Sequence, residues 1–200
     1  MTSRLIDGPV GALQCAFHTP QDAPPGALAL ICHPHPQFGG TMDNKVVQTL
    51  AKAFAELGFA TMRFNFRGVG ESAGEFDDGI GETEDAAAAL AWARTQTGPD
   101  VPLVAAGFSF GCFVQTRLLP RAQPDQLVLV GPAVNRFQIP EVPKSTVIIH
   151  GEEDDVVPLP DVMNWARPQG LPVTVFPGTG HFFHGRLTEL KVVVKRFCRR

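Results

Sequence analysis

The chain has no apolar run long enough to cross a bilayer as a helix, no linker-like tract of biased composition and no internal repeat. The first absence excludes a helical membrane span, and the other two lead to the expectation of one domain over residues 1–200. Met1 to Asp7 lacks the apolar core of a secretion signal, which implies a cytoplasmic protein. Positive charge is not in excess: 17 Lys and Arg stand against 20 Asp and Glu, for a net charge of −3. No global field therefore attracts nucleic acid or an anionic membrane, and the closing Arg199–Arg200 pair reads as the solvated end of a helix. Cysteine is scarce. Cys15, Cys32, Cys112 and Cys198 lie far apart, mostly within apolar stretches, a pattern of buried thiols and not of disulfides or a metal cage.

What is present is a hydrophobic fraction of 44%, enough for a sizeable core, distributed in short runs that alternate between strand and helix patterns. Leu5-Ile6 and Leu13 to Phe17 flank a turn at Asp7 to Gly11 and predict an edge hairpin. Strands are predicted over Ala27–Cys32, Phe59–Asn65, from Val101 toward Gly107, Gln126–Val130, Thr146–His150 and Val173–Phe176. Helices are predicted over Val46–Leu57, Ile80–Thr95, Cys112–Leu119 (stopped by Pro120), Pro160–Ala166 and Leu187–Cys198. This alternation defines an α/β protein: a mostly parallel twisted sheet covered by helices on both faces, with sites at the carboxyl ends of strands. The link between the strands ending at Val130 and starting at Thr146 is too short to hold a cap domain.

One stretch carries chemistry. Val101 to Phe108 ends at Ser109, which sits between Gly107 and Gly111 as Gly107-Phe108-Ser109-Phe110-Gly111. A tight strand-to-helix corner needs small residues on both sides of its apex, because a β-carbon at either flank collides as the chain reverses. The corner exposes a hydroxyl beside a backbone N–H and the positive end of a helix, the setting of a nucleophile.

A serine hydroxyl needs an imidazole to take its proton and a carboxylate to orient that imidazole. The strand ending at His150 is followed by Gly151-Glu152-Glu153-Asp154-Asp155, and the strand ending at Phe176 by Gly178-Thr179-Gly180-His181-Phe182-Phe183-His184. The order Ser, Asp, His follows. The glycine-rich turn before His181 favours it over His184, which stands at the start of the last helix.

These features resemble the α/β-hydrolase superfamily, in its small, lid-less bacterial form. The resemblance rests on the serine corner, on Gly151-x-x-Asp154-x-x-Val157-Pro158, on Gly180-His181 and on Phe66-Arg67-Gly68-x-Gly70-x-Ser72, and spans residues 27–198. It implies Asp154 over Asp155 as the acid, with Asp155 as the fallback, and carboxyl-ester-type hydrolysis of a small-molecule acyl substrate through an acyl-enzyme, with no cofactor. A peptidase reading is weaker, since no second domain is present to select peptides. The rival is a non-catalytic binding protein on the same scaffold.

Two N–H groups must hold the oxyanion. Phe110 supplies one. In the loop His33-Pro34-His35-Pro36-Gln37-Phe38-Gly39-Gly40 the prolines have no N–H, which leaves His35 as the second donor ahead of Gln37, Phe38 and the glycines. A metal at His33 and His35 is the weaker idea, because no third ligand has a recognisable spacing. Gly68-Val69-Gly70 resembles a dinucleotide fingerprint but no helix opens behind it, and Gly39 to Lys45 lacks P-loop spacing. Arg67 reads as a structural tie, with an anion-binding role as the alternative. The cleft is expected to be lined by some of Phe38, Met42, Phe108, Val157 and Phe182.

Overall fold

A computed structural model describes residues 3–21 and 23–198. Its strands are β1 (Arg4–Gly8), β2 (Gly11–His18), β3 (Leu28–Cys32), β4 (Ala60–Phe64), β5 (Leu103–Phe108), β6 (Gln126–Val130), β7 (Val147–Gly151) and β8 (Val173–Phe176). Its helices are α1 (Lys45–Glu56), α2 (Ile80–Thr97), α3 (Phe110–Ala122), α4 (Leu159–Ala166) and α5 (Leu187–Cys198). The strands form one sheet in the order β1-β2-β4-β3-β5-β6-β7-β8. β1 and β2 pair as the expected hairpin, β2 meets β4 antiparallel, and every pairing from β4 to β8 is parallel.

The continuous apolar runs follow from burial on both faces. In β3, Leu28, Leu30 and Cys32 enter the core shared with α2, α3 and α4, while Ala29 and Ile31 enter the core shared with α1 and α5. A side chain such as Leu30 or Ile31, fully withdrawn from water, contributes about 1.5–3 kcal/mol. All four cysteines are free, buried thiols, and burial raises their pKa values, to about 11 for Cys15 and about 12 for Cys198. Among the described residues no helix is long and apolar enough to cross a membrane. Arg199 and Arg200 lie outside the described residues.

One boundary differs from the sequence reading. α3 continues through Pro120 to Ala122, closed by a bond from the Gln123 N–H to the Leu119 carbonyl at 3.0 Å. A proline in the last turn removes only one intrahelical bond, and Leu118, Leu119 and Ala122 pack on the core, so tertiary contact carries the turn past the breaker. The loop after β3 is also less irregular than expected, since Pro36–Phe38 forms a short 3-10 turn.

Candidate active site

Ser109 stands between the end of β5 and the first turn of α3 with φ 54° and ψ −115°, a conformation that L residues rarely adopt. Its N–H is held by the Val130 carbonyl at 2.9 Å. The flanking glycines are required by close approach. A β-carbon on Gly107 would lie 2.5 Å from the Gly111 backbone, and one on Gly111 would run into the Cys32 and His33 carbonyls at the end of β3. The corner is therefore wedged against the neighbouring strand.

The β3 loop is braced from the side. His33, fully buried, donates from Nδ1 to the Pro34 carbonyl at 2.6 Å and accepts the Phe66 N–H on Nε2 at 3.0 Å. Burial pushes its pKa down to about 3, so the ring is a neutral strut between two loops. Asn65 accepts the Met42 N–H at 2.8 Å, and Arg63 donates to the Met42 carbonyl at 2.5 Å and to Asp43 at 3.0 Å. Within the loop, the N–H groups of Gln37, Phe38, Gly39 and Gly40 are all spent locally, on the His35 ring, the His35 carbonyl, the Pro36 carbonyl and the His35 carbonyl respectively. Among the described residues, the N–H groups of His35 and Phe110 donate no hydrogen bond. The ring nitrogens of His33 and Nδ1 of His35 are engaged with the backbone, which leaves the pair poorly suited to share a metal.

On the other flank, Asp154 follows β7 and His181 follows β8. Their loops are stitched together by the Glu153 N–H to the Thr179 carbonyl at 3.0 Å and by the Gly178 N–H to the Glu152 carboxylate at 2.9 Å. Phe183, buried against Phe176 with ring centres 5.4 Å apart, pins the second loop into the core. Asp154 Oδ2 receives the His181 Nδ1–H at 2.6 Å, and Oδ1 accepts the N–H groups of Val156 and Val157 at 3.0 and 2.7 Å. Burial raises the Asp154 pKa, but the bond and charge of His181 and the Val157 N–H together outweigh it and hold the carboxyl below its usual range. Donation from Nδ1 leaves Nε2 as the basic nitrogen of the His181 ring. Asp155 is exposed, and His184 is exposed with its ring against Phe182, so neither joins this pair.

The two flanks meet at the serine. The His181 ring lies over Phe108 at 4.9 Å, and a β-carbon on Gly131 would stand 3.2 Å from His181 Cε1. Ser109 and His181 line the same cavity of about 300 Å³, together with Pro34, His35, Phe38, Phe110, Phe137, Val157, Phe182 and others. Of the expected lining, Phe38, Val157 and Phe182 are there. Met42 and Phe108 are not: both are buried, Met42 beneath the loop and Phe108 beneath the imidazole.

Sequence reasoning missed the bracing by His33, Arg63 and Asn65, although a histidine and an arginine at the ends of apolar strands were visible signals. It read Arg67 as structural, and Arg67 grips Asp85 through its backbone N–H at 2.9 Å, Nε at 3.1 Å and Nη2 at 2.9 Å. The Gly68 loop runs on to Asp78 before α2 opens, and Glu82 caps that helix by accepting the N–H groups of Asp77 and Gly79.

Sheet order, covering helices and serine corner together define an α/β serine hydrolase fold. The chain belongs to the serine aminopeptidase S33 family of hydrolases, whose model matches residues 24–144. A lid-less α/β serine hydrolase from Xanthomonas campestris is 38% identical, with a TM-score of 0.92 over 100% of this chain and 94% of its own. An α/β serine hydrolase homologue from Coxiella burnetii is 40% identical, with a TM-score of 0.88 over 98% of this chain and 97% of its own. An uncharacterised protein of Rickettsia prowazekii is 29% identical over 98% of this chain and 88% of its own length.

Proposed function

We propose that the protein hydrolyses small carboxyl esters or related acyl substrates with Ser109 as nucleophile, His181 as base and Asp154 as its orienter. In this reading Ser109 Oγ attacks the acyl carbonyl while His181 Nε2 takes its proton, and the N–H groups of Phe110 and His35 hold the oxyanion. His181 then returns the proton to the departing alcohol. Water, deprotonated by the same nitrogen, releases the acid and restores the hydroxyl. Asp154 keeps the ring in the tautomer that makes Nε2 the acceptor.

The observation that carries this reading is the 2.6 Å bond from His181 to a buried carboxylate, at a cavity shared with a backbone-strained serine. A protein that only bound ligands would gain nothing from holding Ser109 at φ 54°. The loss of two oxyanion donors would cost roughly 3–4 kcal/mol each, which gives the free His35 and Phe110 N–H groups a use.

The test is covalent. A fluorophosphonate probe should label the wild-type protein at one site, and labelling should vanish in Ser109→Ala. A folded wild type that does not label would instead support the binding-protein reading. A panel of simple esters, thioesters and aminoacyl amides then ranks ester against amide cleavage, the point on which the family's peptidase description and this reading differ.

A further inference from the structure

Among the described residues that line the cavity, most side chains are apolar or aromatic, Asn44, Ser109 and two histidines are polar, and Arg136, in the loop after β6, alone carries a permanent charge. Its guanidinium lies over the ring of Phe38 at 5.4 Å. Phe38 is itself 73% exposed and packs on the His35 ring at 4.8 Å, which in turn packs on Phe110 at 4.9 Å. The cation is thus placed a few ring widths from the two backbone N–H groups assigned to the oxyanion. Among the described residues no carboxylate pairs with Arg136, although exposed Asp77, Asp78 and Glu75 lie on the neighbouring loop. Burial, joined by the charge of Arg136, holds the His35 pKa below its usual value, against the opposing charge of Asp78.

An unpaired guanidinium presents a planar fork of N–H donors that matches a carboxylate in two-point fashion. The other polar groups on the walls, Asn44, Ser109 and the two histidines, carry no fixed positive charge, so Arg136 is the one lining group built to take a carboxylate. We propose that Arg136 is a specificity-determining residue that binds an anionic group on the substrate, so that the site takes esters bearing a carboxylate a short chain away from the bond to be cleaved. The inference rests on the hydrolase reading given above and adds the substrate class to it. The carboxylate belongs either to the acyl part or to the alcohol part, and the two are separated by experiment.

Two matched pairs of esters serve. On the acyl side, monomethyl glutarate is compared with the methyl ester of glutaramic acid; on the alcohol side, O-butyrylglycolate is compared with O-butyrylglycolamide. Wild type should prefer the charged member of one pair in kcat/KM by about three- to fivefold, the scale of one charge pair at an exposed site such as that of Arg136. Arg136→Gln should abolish that preference and leave the neutral ester within about twofold of wild type, whereas Arg136→Lys, a point charge without the fork, should keep part of it. Salt should erode the preference, as it does for charges near solvent. Binding is read separately, by the protection that free glutarate, but not glutaramide, gives Ser109 against a neutral fluorophosphonate, and by the loss of that protection in Arg136→Gln.

A preference that survives Arg136→Gln, an equal loss on charged and neutral esters, or the absence of both preference and protection in a protein that labels with the probe would overturn the assignment of Arg136 and leave the hydrolase reading standing. Failure of the folded wild type to label at all would remove the hydrolase reading, and this inference with it.

Discussion

His150 Nε2 lies 3.4 Å from Asp154 Oδ2, the same oxygen that receives the His181 Nδ1–H at 2.6 Å. One carboxylate oxygen is thus flanked by two imidazoles. His150 is fully buried, its Nε2 donates to the Val157 carbonyl at 2.8 Å, and burial lowers its pKa and keeps it neutral. Among the described residues its buried Nδ1 has no partner. In the reaction proposed above, the ring acts through Asp154, as a positioning residue that fixes the Val157 turn beneath it. His150→Phe should lower kcat about tenfold with KM little changed, and His150→Gln, which retains an N–H donor, should recover most of it. Equal activity of wild type and His150→Phe would remove His150 from this role.

Ser109 pays for its position in backbone strain, of order 1–3 kcal/mol for a residue held in a sparsely populated region. Ser109→Gly should therefore be inactive yet more stable by about 1 kcal/mol, seen as a Tm raised by about 2–4 °C in a chain of this size. Ser109→Ala, which keeps a β-carbon at φ 54°, should be equally inactive without that gain. Melting curves that place both variants at or below wild type would contradict the strain argument.

The His33 strut makes stability depend on acid. Its folded pKa of about 3 lies below the ordinary value of 6.5, so from pH 6.5 down to about 3 the unfolded chain binds a proton that the folded one does not. The stabilisation is complete above pH 6.5 and falls by about 1.4 kcal/mol per unit below it. Asp154, with its depressed pKa, adds a loss at still lower pH, below its unfolded value of about 3.9. His33→Gln should be less stable than wild type at pH 7 and should lose less on going from pH 6.5 to pH 4.5. Parallel denaturation profiles across that range would show that His33 is protonated without cost.

Much of this was readable in the chain because the deciding constraints are local. Gly107 and Gly111 announce a corner that only small residues permit, and the apolar runs of β3 and β5 announce a sheet covered on both faces. The order of the acid and histidine loops follows from counting strands. What escaped was set by contacts distant in sequence. Asn65 reaches Met42 and Arg63 reaches Asp43 across some twenty positions, with no periodicity to betray them. Phe108 looked like cleft lining because it adjoins Ser109, but strand alternation turns it under His181. Pro120 looked like a stop, and the packing of Leu119 and Ala122 overrode it.

Ser109 follows β5, the His35 turn follows β3 and is tied to β4, and the Asp154–His181 pair follows β7 and β8 on the far side. The cleft is in this sense a seam across the middle of the sheet, with each lip owned by a different flank. A change in the twist between the two flanks would alter the gap from lip to lip while sparing the contacts within each lip. Substitutions deep in β5 and β6, remote from any substrate, are then the ones able to tune its width.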